Sequence, residues 1–160
     1  MLDDEINYCL RCGFKLSSEE RFGRMRPVCS RCGWIYFTDP KVAVAVLVEH
    51  EDKVLLVRRV NDPYRGLWTL PAGFLDADED PAAAAVRECL EETNLQIRIV
   101  KLLDVVAGQE HPRGAHILIV YQGEILSGKS VAGDDADQVG FFSRQALPPL
   151  AFASTIRLLS

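Results

Sequence analysis

Long apolar runs are missing from this 160-residue chain. The longest, Val42–Val48, spans seven residues, far short of the roughly 20 that cross a bilayer as a helix, so no membrane partner is expected. A basic-then-apolar leader is also missing. The chain begins Met1-Leu2-Asp3-Asp4-Glu5, which reads as no export signal and leaves a soluble, cytoplasmic protein as the expectation. There is no excess of cations: 18 Lys and Arg face 23 Asp and Glu, a net charge of −5. That balance argues against a general nucleic-acid coat protein and leaves cation binding open. Histidine is scarce, and His50, His111 and His116 lack metal-ligand spacing, so they read as surface or loop residues. No internal repeat or low-complexity tract occurs. What remains is 48% hydrophobic and 26% charged, ordinary globular usage for one domain, or one domain with a small appendage.

Four of the five cysteines fall into two Cys-x2-Cys pairs, Cys9/Cys12 and Cys29/Cys32, sixteen residues apart. This is the spacing of a four-thiolate zinc site, with Gly13 and Gly33 placed where each knuckle must turn. Two disulfides are the rival reading, weakened by a reducing compartment. Four thiolates would leave no open coordination position, so the zinc would be structural and would supply folding energy to a segment too short for its own core. Arg11, Lys15, Arg21, Arg24, Arg26 and Arg31 against Glu19 and Glu20 make the same segment cationic, either as a solvated surface or as a contact for an anion. Cys89 stands apart in an apolar stripe and reads as a small core residue.

Thr38-Asp39-Pro40-Lys41 resists helix and reads as a linker, dividing the chain into a zinc ribbon over 1–38 and a larger domain over 39–160. Val42–Val48 and Val54–Arg58 suggest a hairpin, and Ile97–Leu103, His116–Ile125 and Val139–Phe142 further strands. Asn61–Gly66, Ser127-Gly128-Lys129 and Gly133–Asp137 read as turns. Ser143 is expected to cap a short helix stopped by Pro148-Pro149, and Phe152–Leu159 to form a terminal helix. Strands mixed with few helices point to an α/β or α+β sandwich.

Asp80-Pro81 is a helix start, with Asp as cap and Pro at the first helical position. Through Thr93, helical geometry places Ala82, Val86, Cys89, Leu90 and Thr93 on one side and Glu88, Glu91 and Glu92 on the other. Three carboxylates on one face repel each other. The alternatives are a solvated acidic face or a site for hard Mg²⁺ or Mn²⁺, which prefer oxygen ligands.

From Gly73 the chain reads Gly73-x5-Glu79-x7-Arg87-Glu88-Cys89-x-Glu91-Glu92-x-Asn94-Leu95. This resembles the Nudix box, Gly-x5-Glu-x7-Arg-Glu-U-x-Glu-Glu-x-Gly-U with U a bulky aliphatic. Cys89 is a soft match, and Asn94 replaces the final Gly at a position after the helix end. There the left-handed conformation is required, and Asn is the usual second choice. The resemblance implies a Nudix α/β/α sandwich with a mixed sheet and a diphosphate-cleaving loop–helix–loop. By that resemblance Glu88, Glu91 and Glu92, joined by the Gly73 carbonyl, would hold catalytic Mg²⁺ or Mn²⁺. Arg87 would orient the carboxylates and Glu79 would pair with Arg87. Such ions neutralise charge at the attacked phosphorus and acidify a water. The base would be a box glutamate or one of Asp134, Asp135 and Asp137.

Arg58, Arg59, Trp68 and Arg113 are candidate substrate contacts, with Trp68 more a packing residue; Tyr36, Phe37 and Tyr64 are weaker candidates for adenine. A zinc ribbon ahead of a Nudix domain is similar to the NADH pyrophosphatases, but their Ser-Gln-Pro-Trp-Pro-Phe-Pro segment is missing from Val105–Val120. Pro112 lies close to where the ADP-ribose subgroup places a proline. Asp39-Pro40-Lys41, Gly66-Leu67-Trp68-Thr69-Leu70-Pro71-Ala72-Gly73 and Leu150-Ala151-Phe152-Ala153-Ser154 resemble a group that includes FAD pyrophosphatases. The expected substrates are therefore adenosine diphosphate compounds, ADP-ribose or FAD first and NADH next, with a homodimer as a known family assembly. The rival is a regulatory or nucleic-acid-binding protein that uses the Nudix domain as a nucleotide sensor. The overall acidity argues against a nucleic-acid partner.

Overall fold

A computed structural model describes residues 6–160; the acidic stretch Met1–Glu5 lies outside the described residues. The chain divides after Asp39 into two compact units.

The N-terminal unit is built on an antiparallel hairpin, β1 (Leu16–Arg21) and β2 (Arg24–Cys29). Two matching knuckles flank it. In each, the glycine N–H donates to the first cysteine's carbonyl, Gly13 to Cys9 at 2.8 Å and Gly33 to Cys29 at 2.9 Å. Both glycines sit at positive φ, 69° and 73°, where a Cβ would be strained.

The C-terminal unit grows from the Val/Leu-rich hairpin of β3 (Val42–His50) and β4 (Lys53–Arg59). Glu51 and Asp52 both take positive φ, 49° and 60°, the two-residue primed turn that matches strand twist. β3 pairs antiparallel with β6 (Ala72–Phe74) and parallel with β8 (Ile117–Gly128), which pairs antiparallel with β7 (Leu95–Ala107). β4 also carries β5 (Trp68–Thr69) and β9 (Ala136–Ser143). The result is a mixed seven-stranded sheet.

Alternation along β3 explains the layers. Val44, Val46 and Val48 pack with Leu55 against Ala84, Ala85 and Cys89 of α1 (Pro81–Thr93). Ala45 and Leu47 pack with Val54, Leu56 and Leu70 towards Leu159 of α2 (Ala153–Leu159). A strand buried on both faces reads as one continuous apolar run, and each of these fully buried valines contributes about 1.5–3 kcal/mol over an exposed one. The expected α/β/α sandwich is the observed fold.

Three local readings need correction. No helix follows Ser143: its Oγ accepts the Gln145 N–H at 3.3 Å and its carbonyl accepts Ala146 N–H at 3.0 Å, so the hydroxyl makes a turn instead of a cap. Ser127 and Gly128 continue β8, because a Cβ at Gly128 would meet the Asn94 carbonyl at 2.5 Å. A strand glycine of this kind marks the close approach of another backbone. The apolar side of α1 is also rotated from the expected one, since Leu90 is 41% exposed while Glu88 and Glu92 are buried.

Candidate active site

The helix that carries the carboxylates is fixed at both ends by local sequence. Asp80 accepts the Ala82 and Ala83 N–H groups at 2.9 and 3.0 Å, and Asn94 closes the helix at φ 57°, ψ 19°. The sheet then draws one edge of the acidic face inward, leaving Glu88 at 8% and Glu92 at 5% exposure. Glu92 accepts the Ala72 N–H at 3.0 Å, which ties α1 to the chain entering β6. Burial raises the Glu88 carboxyl above its ordinary range and pushes Glu92 up to about 8.

Arg87 organises the neighbouring carboxylates. Its Nε and Nη2 donate to Glu79 at 2.7 and 2.8 Å, and its Nη1 donates to Glu88 at 2.7 Å and Glu91 at 3.2 Å. The Arg87 hydrogen bonds hold Glu79 below its usual range. Gly73 is the other fixed point: a Cβ there would lie 2.0 Å from the Glu88 carboxyl carbon, so only glycine lets that carboxylate pack against the strand.

These groups open onto a cleft of ≈ 590 Å³, the size range of small-molecule sites. Gly73, Arg87, Glu88 and Glu91 line one part, and Asp134 and Asp135 border it. Arg59, His111, Arg113 and Phe152 are also among its lining residues. The pairing of β4 with β9 is irregular here, with Asp137 the extra β9 residue between Gln138 and Ala136, the partners of Arg58 and Arg59. Alternation along β4 turns the two arginines to different tasks. Arg58 points to Asp137, with two bonds of 2.8 Å, and neither residue lines the cleft. Arg59 lies in the cleft, with Nε donating to the Pro63 carbonyl at 3.2 Å and its guanidinium 5.0 Å from the Phe152 ring centre. No carboxylate pairs with it among the described residues, and burial lowers its pKa.

Trp68 is a packing residue, edge-on to Phe142 at 4.7 Å, outside the cleft lining. Tyr64 stands edge-on to Phe152 at 5.3 Å and to His111 at 6.4 Å, while Tyr36 and Phe37 belong to the N-terminal unit. His111 is a cleft residue and not a plain loop histidine. Sequence reasoning missed Glu110, whose carboxylate accepts the Ala153 and Ser154 N–H groups at 2.7 and 3.0 Å. It latches the loop bearing His111 and Arg113 to the start of α2. Asn61, which donates to Asp135 at 2.8 Å, was missed as well. Neither residue belongs to a spaced motif, so no signal marked it.

Among the described residues, one group of ligand atoms closes to metal-binding distance. The sulfurs of Cys9, Cys12, Cys29 and Cys32 lie within 4.8 Å of one another. The Cys9–Cys32 and Cys12–Cys29 separations are 3.6 and 3.5 Å. Tetrahedral zinc with bonds of about 2.3 Å has sulfur edges of about 3.8 Å, whereas a disulfide is about 2.0 Å. All four cysteines are free, which fits zinc and not the disulfide alternative. The box carboxylates offer oxygen donors only, two of them buried with less cationic charge than their number, and this donor set fits a hard divalent cation.

Residues 39–158 match the NUDIX domain, and the chain belongs to the Nudix hydrolase family. An ADP-ribose pyrophosphatase of Methanocaldococcus jannaschii is 40% identical over 117 residues, 72% of this chain and 69% of that protein. The NAD-capped RNA hydrolase NudC of Pseudomonas aeruginosa is 29% identical over 89% of this chain, which spans half of that protein's length. A crystal structure of a NUDIX hydrolase from Nitrosomonas europaea matches with a TM-score of 0.86 and 32% identity, covering 96% of this chain and 88% of that one. No helix among the described residues is long and apolar enough to cross a membrane.

Proposed function

We propose that this Nudix enzyme hydrolyses the diphosphate bond of an adenosine diphosphate compound, ADP-ribose or FAD first and NADH next. Water attacks one phosphorus, the bridging P–O bond breaks, and AMP and a second phosphate ester leave. The observation that carries this reading is a single cleft lined both by the Glu88 and Glu91 carboxylates and by the Arg59 guanidinium. An acidic set alone would repel a diphosphate, and a lone arginine would bind one without cleaving it. The ADP-ribose pyrophosphatase relative supports ADP-ribose as a substrate.

Glu88, Glu91, Glu92 and Gly73 are the residues that would hold Mg²⁺ or Mn²⁺, which when bound supplies charge neutralisation at phosphorus and a more acidic water. Arg87, fixed by Glu79, keeps the carboxylates apart and aimed. Arg59 and Arg113 bind phosphate oxygens as charge-assisted donors. Asp134 and Asp135 border the cleft and are the carboxylates available to take a proton from water. Asp137 is occupied by Arg58. The four cysteines hold a structural zinc outside the chemistry.

The test is product analysis from ADP-ribose, FAD, NADH, NAD and diadenosine polyphosphates with Mg²⁺ and with Mn²⁺, using Glu92→Gln as the blank. AMP released from ADP-ribose or FAD well above the blank is expected. No release from any of them overturns the reading.

A further inference from the structure

The β1–β2 hairpin breaks two local rules at one place. Its turn, Phe22-Gly23, has φ of 53° and 73°, a primed two-residue turn whose first position favours Asn, Asp or Gly. Phenylalanine there is strained and, at 77% exposure, gains nothing from burial. Directly below the turn, Arg21 pairs with Arg24 across the strands, where like charges destabilise. Neither choice helps the hairpin fold, and features that contradict local preference mark functional positions.

The surroundings say what would relieve both. Phe22 stacks on Phe37, with ring centres 6.0 Å apart and planes at 30°, and the Arg26 guanidinium lies 4.5 Å from the centre of the Phe37 ring. Arg21, Arg24 and Arg26 alternate onto one face of the hairpin with Glu19. Glu19 bonds Arg21 at 2.6 Å, and Arg24 has no ion pair among the described residues. The face is thus a layered set of π surfaces and guanidinium groups carrying net positive charge. Residues 6–39 hold six Arg and Lys against three carboxylates, inside a chain of net charge −5. With Asp3, Asp4 and Glu5 the carboxylates of residues 1–39 also number six, so the positive charge belongs to this hairpin face and not to the segment as a whole.

We propose that this face binds single-stranded nucleic acid, bases stacking on Phe22 and Phe37 and phosphates pairing with Arg24 and Arg26. Stacked rings with interleaved guanidinium groups are the platform that unpaired bases use irrespective of sequence. An anionic membrane would be a poorer partner, because Glu19 shares the face and pairs with Arg21. The inference does not rest on the cleft chemistry.

Fluorescence anisotropy of a labelled single-stranded RNA of about ten nucleotides, with the full chain purified without chelator, tests it. Binding is expected at low salt and should weaken as salt rises, as counterion release requires. Phe22→Asn installs the residue the turn prefers, so the hairpin folds at least as well, and affinity should fall about tenfold. Arg24→Ser should lower both the affinity and the salt dependence. Hydrolysis of small nucleotides by both variants should match the parent chain. No binding at low salt, equal binding by Phe22→Asn, or binding to anionic vesicles and not to RNA overturns the proposal.

Discussion

Arg58 and Arg59 show how strand alternation divides the work of neighbouring side chains. Alternation along β4 puts them on opposite faces; Asp137, the extra residue of β9, meets Arg58, and Arg59 lines the cleft. Arg59→Ala should raise KM for the diphosphate substrate about ten- to a hundredfold, the value of a hydrogen bond to a charged group. Arg58→Ala should leave KM within about twofold and reduce stability by at most about 1 kcal/mol, as for other partly exposed pairs. Steady-state kinetics beside urea denaturation reads both. Gly73→Ala should keep the far-UV circular dichroism of the parent and lose about a hundredfold in turnover, because its Cβ would displace the Glu88 carboxylate and misplacement of this kind has that order of effect. Parent-like turnover would show that Glu88 works from another position. At this scale the helix residues were legible because spacing alone puts them together. Asp134 and Asp137 were not distinguishable, since which loop carboxylate meets an arginine depends on strand register.

The helix α1 was readable end to end: Asp80 as cap, Pro81 as first residue and Asn94 as a left-handed stop. Its orientation was not. Helical spacing gives the angle between residues but not which side the sheet will cover, so it did not show that Glu88 and Glu92 are buried while Leu90 is exposed. Asn94 carries a prediction of its own. Asn94→Ala should destabilise the chain by about 1 kcal/mol, the strain of a Cβ without a polar side chain in the left-handed region. Asn94→Gly relieves that strain but loses the bond from the Asn94 amide to the Lys129 carbonyl (3.1 Å). The net change should stay within about 0.5 kcal/mol. Chemical denaturation midpoints for the pair decide it, and equal loss in both would place the stabilisation in the side-chain bond. Among the strands, β3 and β4 were evident as unbroken apolar runs. The ends of β7 and β8 were not, because a glycine that usually marks a turn is here the contact with Asn94.

At the scale of the molecule, the two units are held by different physics. Both apolar clusters of the C-terminal unit are drawn from residues 44–159, whereas the N-terminal unit has two short strands and a four-sulfur cluster. Removal of zinc with a chelator should therefore unfold the N-terminal unit and leave the melting temperature of the other within a few degrees. Calorimetry on the full chain, with and without metal, would show this; a single shared transition that collapses on chelation would contradict it. Division of the cysteines from the glutamate motif was plain in the sequence, since each follows its own spacing, and so was the run of cations between the cysteine pairs, while the gathering of Arg21, Arg24 and Arg26 on one face needed the hairpin register. The central claim is that the three carboxylates of α1 hold divalent ions for diphosphate hydrolysis. Its most direct measurement is the Mg²⁺ dependence of ADP-ribose turnover in the parent chain and in Glu88→Gln, Glu91→Gln and Glu92→Gln. No turnover is expected without Mg²⁺, and in the variants a loss of at least about a hundredfold at saturating metal. Parent-like turnover and metal dependence in all three would contradict it.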